Sequence, residues 1–243
     1  MNWFLIPIYN EYTNLSELIR KLSAIMEAHD KILFIDDGSS DETQAFFLKL
    51  KNHQISYERL SQNSGPGAAF NWGFKKIIQE NKDPNAIVFT LEGDNTARLA
   101  DILVMQSLIM EGNDLVLASV YHPNGGFQKT NFWRKLLSYT ANFIAKNSLG
   151  LKQQTLTSFY RAYHISLLHK IYLKYAEFCI EKGFICKVEL LLKSKACQAK
   201  IIEVPTILES LNRKGKSKMK LLKTALNYFK FIVSWKIRNM QKT

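Results

Sequence analysis

Short apolar runs alternate with amphipathic stretches through the first half of the chain, and the runs end in polar turns, several of them glycine-containing. This pattern predicts an α/β fold with a mostly parallel central sheet, flanked by helices and joined by right-handed crossovers. Carboxylates and amides also recur just past the carboxyl ends of the first, second and fourth apolar runs, the edge at which open α/β sheets bind ligands. With 243 residues and 47% hydrophobic content, the chain can bury one full α/β core. Residues 1–212 are expected to form it, and 213–243 a basic amphipathic helix at its end.

Trp3–Ile8 reads as the first strand, broken at Pro7-Ile8-Tyr9-Asn10-Glu11, and the next helix carries Leu15, Leu18, Ile19, Leu22, Ile25 and Met26 on one face. Lys31–Ile35 is the second strand. It ends in Asp36-Asp37-Gly38-Ser39-Ser40-Asp41, where Ser40 or Asp41 is expected to cap a helix with Phe46, Phe47 and Leu50 inward. Ile55–Leu60 is a third strand, and Asn63-Ser64-Gly65-Pro66-Gly67 opens a third helix bearing Ala68, Ala69, Trp72 and Ile77. The fourth strand, through Ile87, Val88, Phe89 and Leu91, is apolar enough to be covered on both faces. A helix over 98–111 and a strand over 114–119 follow. The second half opens with a Pro/Gly/Asn loop over 122–131, long enough for a mobile lid. A helix over 132–149 has Trp133, Leu136, Leu137, Phe143 and Ile144 inward. Then come a strand over 157–163, helices to Leu173 and over 187–197, and a strand over 201–204 stopped by Pro205.

The fourth strand runs into Glu92-Gly93-Asp94, two acids around a glycine that lets the backbone turn. They offer hard oxygen ligands to a divalent cation, which would neutralise a diphosphate. On this stretch alone a helix cap explains the two acids equally well; three strand ends delivering polar groups to one edge decide for a site. Asp36 and Asp37 serve either as turn chemistry or as the floor for a nucleoside, joined by Asn10, Glu11 and a stacking Tyr9. Gly65-Pro66-Gly67 fails the dinucleotide fingerprint, because position 70 is Phe. Gly67 fits a close approach of backbone to a ribose or base, or a plain helix start.

The net charge of +12 is unevenly placed, with no acid after Glu209 and ten Lys or Arg residues from Arg213 onward. Arg213-Lys214-Gly215-Lys216-Ser217-Lys218 is suited to grip a phosphate through Arg213, Ser217 and Lys218. The following segment sets Lys220, Lys223, Asn227, Lys230, Ser234 and Arg238 in a polar stripe opposite Leu222, Leu226, Phe229 and Val233, with Trp235 and Ile237 nearby. That pattern suits the surface of an anionic membrane, and no nucleic-acid motif accompanies it. Cys179, Cys186 and Cys197 form no metal-type pair, and with no targeting segment or spanning helix expected, a cytoplasmic protein on the inner face of a membrane is the expectation.

In this order and spacing the motifs resemble the family 2 glycosyltransferases, in the branch of dolichol- and polyprenyl-phosphate sugar synthases. The resemblance rests on the motifs at Pro7–Glu11, Ile35–Asp41, Asn63–Ala69 and Glu92–Asp94, then Thr157–Tyr163, Lys187–Leu191 and Arg213–Lys218. It implies a GT-A fold, a nucleotide-sugar donor, a divalent metal and inverting transfer to a lipid-linked phosphate. By that likeness Pro7, Tyr9, Glu11, Asp36 and Asp37 hold the nucleotide. Asp94 and Glu92 hold Mg²⁺ or Mn²⁺ on the diphosphate, and Arg213, Ser217 and Lys218 face phosphates. The chain departs from the family pattern at Glu92, where Asp is usual, and at Thr96, where Gln is usual. Val120 stands where Arg is frequent.

A phosphate monoester is already anionic at neutral pH, with a second pKa near ~6, so such an acceptor needs little base catalysis. The alternatives are transfer to a saccharide or lipid hydroxyl in envelope polysaccharide synthesis, which would need a positioned base, and a catalytically weak nucleotide-sugar-binding module.

Overall fold

A computed structural model describes residues 1–129, 132–215, 227–228 and 230–235. Its main sheet is built from β1 (Asn2–Ile8), β2 (Lys31–Asp36), β3 (Ile55–Arg59), β4 (Ile87–Thr90), β5 (Leu115–Ser119), β7 (Arg161–His164) and β8 (Ile201–Pro205). The strand order is β3-β2-β1-β4-β7-β5-β8. Every neighbouring pair is parallel except those of β7, which runs antiparallel to both β4 and β5. A separate two-stranded parallel ladder joins β6 (Gly126–Phe127) to β9 (Ile207–Leu208).

Alternation along β1 sends Trp3 and Leu5 to one face of the sheet and Phe4, Ile6 and Ile8 to the other. The first face is covered by α3 (Pro66–Glu80), α6 (Ile165–Tyr175) and α7 (Cys186–Ala196), through Phe70, Phe74, Leu168, Ile171 and Leu191. The second is covered by α1 (Tyr12–Ser23), α2 (Thr43–Lys49) and α4 (Asp101–Met110), through Leu15, Leu18, Phe47, Met105 and Ile109. Because both faces are buried, β1, β2, β4 and β5 read as nearly continuous apolar runs. The strand order reverses between β1 and β4, so the crevice past their carboxyl ends is the switch point where an open α/β sheet takes its ligand.

Several local expectations are corrected. Phe143 of α5 (Phe132–Leu149), expected inward, is 67% exposed, and Trp72 is 51% exposed. In α3 the buried stripe is Ala69, Phe70, Gly73, Phe74 and Ile77, and it leaves Trp72 on the solvent side. The strand expected over 157–163 begins only at Arg161, because Thr157–Tyr160 is a loop folded around the Arg161 side chain. Glu42 stands at the cap position of α2, with the Asp41 carboxylate accepting the Thr43 N–H from one residue further back. The loop after β5 is no free lid over its described part. Its β6 residues pair with β9, and Tyr121, Phe127 and Tyr139 close edge to face. In the described part of the C-terminal segment, Phe231 and Ile232 are buried in the core beside α3, α6 and α7, while Val233 is 43% exposed. Those apolar side chains are spent on the protein's own core. Leu222, Leu226, Phe229 and the stripe residues Lys220, Lys223 and Arg238 lie outside the described residues.

Candidate active site

At the end of β4 the chain turns through Glu92, Gly93, Asp94 and Asn95, the last in the left-handed region at φ 62°. Gly93 lies against the end of β1: a Cβ there would come within 2.6 Å of the Ile8 Cγ2 atom and 3.5 Å of the Pro7 carbonyl oxygen. This close approach sets the acids of β4 beside Glu11, whose charge acts on Glu92. Pro7 has no N–H to offer, and it stands where β4 leaves its ladder with β1, so no bond is forfeited there.

Asp94 is nearly buried and is held at both oxygens. Its Oδ1 accepts from the Thr96 hydroxyl at 2.7 Å and the Thr96 N–H at 3.2 Å. Its Oδ2 accepts from Arg213, whose guanidinium also lies 3.9 Å from Glu92. About a third of the Glu92 side chain, 35%, stays open to the cleft. Burial by the surrounding chain raises its carboxyl above the usual value, and the Asp94 charge adds to this; Lys187 and then Arg213 oppose it.

Arg213 is delivered by a strap that leaves β8 and crosses the strand ends. Thr206 donates to Asp101 at 2.6 Å, Glu209 N–H donates to the Thr96 carbonyl at 3.0 Å, and Lys214 is held by Asn14 of α1. The Asn14 side chain, fully buried, accepts from Lys214 N–H at 3.0 Å and donates to the Lys214 carbonyl at 3.1 Å and to Glu11 at 2.6 Å.

The acid pair after β2 is hydrogen-bonded to the chain's own loops. Asp36 is fully enclosed, accepting from Ser39 N–H, the Ser39 hydroxyl and the Tyr57 hydroxyl, with Arg59 Nε at 3.4 Å. Burial, then the hydrogen bond to Asp36 and its charge, push the Tyr57 phenol well above its ordinary value. Asp37 accepts from the N–H groups of Ser64 and Gly65, each at 2.7 Å, and burial raises its carboxyl against those bonds. Asn10, with φ 53°, spends its side-chain oxygen on the N–H groups of Ser40 and Asp41. Gly67 does make a close approach, but to the chain itself. Its N–H donates to the Lys182 carbonyl at 2.7 Å, and a Cβ would overlap the Glu181 carbonyl oxygen. These residues fasten the β1, β2 and α3 loops to one another around the crevice.

The donor set fits a hard divalent ion. Two carboxylates stand together with a guanidinium as their counter-charge, and among the described residues no group of three His, Cys, Asp or Glu is assembled for a metal. An ion there would take one or two protein carboxylates and complete its shell with substrate phosphates and water, as Mg²⁺ does in phosphate-transfer sites.

Residues 3–172 match the profile of the family described as glycosyl transferase family 2. The chain belongs to that family. It is a glycosyltransferase, and its sheet and helix layers are those of the GT-A fold. A polyprenol monophosphomannose synthase of Mycolicibacterium smegmatis is 28% identical over 242 residues, spanning 96% of this chain and 86% of the relative. An undecaprenyl-phosphate 4-deoxy-4-formamido-L-arabinose transferase of Salmonella paratyphi A is 30% identical over 165 residues, or 65% of this chain; the match spans about half of that relative, 47%. Among solved structures, the glucosyl-3-phosphoglycerate synthase of Mycobacterium tuberculosis, in complex with Mn²⁺, UDP and glucosyl-3-phosphoglycerate, superposes with a TM-score of 0.65 at 15% identity. That superposition covers 96% of this chain and 77% of the other, and at such identity it speaks for the fold alone.

In this glycosyltransferase Glu11, Glu92, Asp94 and Arg213, all singled out from the sequence, come together at one crevice. Asp36, Asp37, Asn10 and Gly67 stand around it with their polar groups turned to the chain's own loops, and Tyr9 is half-buried at its side. Ser217 and Lys218 lie outside the described residues. Sequence reasoning gave no role to Asn14, Thr96, Arg161 or Lys187. A polar residue on the apolar stripe of the first helix was the available signal for Asn14, and a hydroxyl two residues past Asp94 was the signal for Thr96; Arg161 and Lys187 meet through a contact distant in sequence.

Proposed function

We propose that this family 2 glycosyltransferase transfers a sugar from a nucleotide-sugar to the phosphate of a polyprenyl phosphate, with inversion at the anomeric carbon. The observation that carries this reading is the contact of Arg213 with Glu92 and Asp94: an acidic floor for a cation, met by a basic strap suited to phosphate. The two lipid-phosphate transferases to which the chain is similar support the acceptor class.

Glu92 and Asp94 would hold Mg²⁺ or Mn²⁺ at the donor's diphosphate. The ion supplies Lewis-acid stabilisation of the charge that gathers on the departing nucleoside diphosphate. Thr96 holds one oxygen of the Asp94 carboxylate in place, and the other is engaged by Arg213. An oxygen of the acceptor phosphate attacks the anomeric carbon as the bond to the diphosphate breaks; no proton has to be removed from the nucleophile. Arg213 donates positive charge at the junction of the two phosphates, joined by Ser217 and Lys218. Pro7, Tyr9, Asn10, Glu11, Asp36, Asp37 and Gly67 shape the nucleoside end, Asp36, Asp37, Asn10 and Gly67 by fixing its loops. The lysine-rich residues beyond Arg213 suit a peripheral position on the anionic cytoplasmic face of a membrane.

The test is release and transfer from a panel of nucleotide-sugars with Mg²⁺ or Mn²⁺, with and without polyprenyl phosphate, for wild type and Asp94→Ala. Lipid-dependent and metal-dependent release of one nucleotide, absent in the variant, is the expected result. Release that ignores the lipid would move the acceptor to a hydroxyl compound. Nucleotide binding without turnover would leave a binding module.

A further inference from the structure

Two lysines of α7 are buried, and they are treated oppositely. Lys193, 2% exposed, has its ammonium 2.7 Å from Glu189, 2.8 Å from the Glu177 carbonyl and 3.2 Å from the Phe178 carbonyl. It is a satisfied structural cation. Lys187, 5% exposed, lies nearer the start of the same helix, with its Nζ 4.1 Å from the centre of the Phe159 ring and 5.0 Å from that of Phe184. Among the described residues no hydrogen bond or ion pair reaches this ammonium. Ring faces attract a cation, but they do not satisfy its three N–H donors.

The lysine is also held in place. Arg161, 1% exposed, donates to the Lys187 carbonyl at 2.9 Å, to the Ser158 carbonyl at 2.9 Å and to the Leu156 carbonyl at 3.1 Å. One guanidinium thus ties the start of α7 to the loop that carries Phe159. Phe159 in turn is fixed at the end of β4, where the Thr90 hydroxyl donates to its carbonyl. Lys187 therefore sits near the carboxyl end of β4, and of the two cations opposing the shift of Glu92 it acts the more strongly. Burial pushes its ammonium below the usual lysine value, while Glu92 and Asp94 push it back up.

Charge counting says what the free donors are for. A divalent ion on Glu92 and Asp94 leaves that floor near neutral. A donor diphosphate then brings about two negative charges and an acceptor monophosphate about one and a half to two. Arg213 and Lys187 are the cations that act on the floor in the described part of the site.

We propose that Lys187 is a phosphate-recognising residue of this site, its ammonium donating to an oxygen of the donor's diphosphate or of the acceptor's monophosphate. The assignment rests on the transferase reading given above. It adds to the crevice a cation from α7, on the side of the sheet opposite the helix that holds the strap.

The test uses the full chain with Mg²⁺ and calorimetric titration of two probes: inorganic pyrophosphate for the donor arm and farnesyl phosphate for the acceptor arm. K187M keeps an unbranched apolar stem on Phe159 and Phe184 and removes the charge; K187Q serves if K187M does not fold. Binding of one probe or both is expected to weaken about tenfold to a hundredfold, the loss of one charge-assisted hydrogen bond. K187R should keep most of it. The arm that weakens names the source of the phosphate. Wild-type affinity for both probes in K187M or K187Q, including the case in which the lysine meets a sugar hydroxyl instead, would overturn the proposal while leaving the transferase reading intact. A wild-type protein that binds neither probe would overturn both.

Discussion

Asp94 is positioned by two neighbours of different kinds. Arg213 supplies charge, whereas Thr96 supplies only geometry, through a hydroxyl 2.7 Å from Oδ1. A bound divalent ion can replace the first and has no means of replacing the second. Thr96→Val should therefore leave the fold intact and lower Mn²⁺ affinity about tenfold to a hundredfold, the usual cost of losing a group that orients a metal ligand. Titration of Mn²⁺ followed by electron paramagnetic resonance reads this directly; affinity equal to wild type would show that the hydroxyl is dispensable. Asp36 behaves in the opposite way. It is wholly enclosed by Ser39, Tyr57 and Arg59, and its carboxylate holds the loop after β2.

At the scale of elements, the strap from Thr206 to Lys214 is what turns a set of strand ends into a site. It is fastened by side chains at Asp101 and Asn14 and by a main-chain bond to Thr96. Asn14→Ala removes both bonds to Lys214 together with the bond to Glu11, at a cost of ~1–3 kcal/mol. The expected outcome is a raised KM for the lipid phosphate and faster proteolytic cleavage around Arg213, with little change in the sheet by circular dichroism. The start of α3 gives a second test. Gly67 abuts the backbone of Glu181 and Lys182, which cannot retreat as a side-chain tip can. Gly67→Ala should cost ~1–3 kcal/mol despite alanine's better helix propensity. Urea denaturation measures it, and an unchanged midpoint would mean that the 181–183 loop yields without strain.

For the molecule as a whole, positive charge is concentrated toward the end of the sequence. Ten Lys or Arg residues and no acid follow Glu209. Among the described residues no helix is long and apolar enough to cross a membrane. Phe231 and Ile232 are already buried in the core, so attachment through the C-terminal residues should be mainly electrostatic. The protein is expected to sediment with vesicles containing anionic lipid and to be released as salt approaches ~1 M, where the Debye length falls to about 3 Å. Attachment that survives high salt would point instead to inserted apolar side chains.

The layered α/β fold was legible because buried strands and amphipathic helices follow different periods, and Phe4 to Ile8, Lys31 to Asp36 and Ile87 to Thr90 keep theirs. The acids at the strand ends were legible for a related reason: the carboxyl edge of a parallel sheet is where such groups accumulate. Three things were decided only in the tertiary structure. The antiparallel insertion of β7 depends on pairing partners distant in the chain, which no local period records. The partners of Asp36, Asp37 and Gly67 are likewise contributed by separate loops, so their residue types alone could not distinguish a ligand contact from a contact with the chain itself. Lys187 and Lys193 look alike along the chain, and only the enclosure around each shows that one is satisfied and the other open. Composition and spacing determine which groups arrive at the crevice; packing determines which of them remain free to act there.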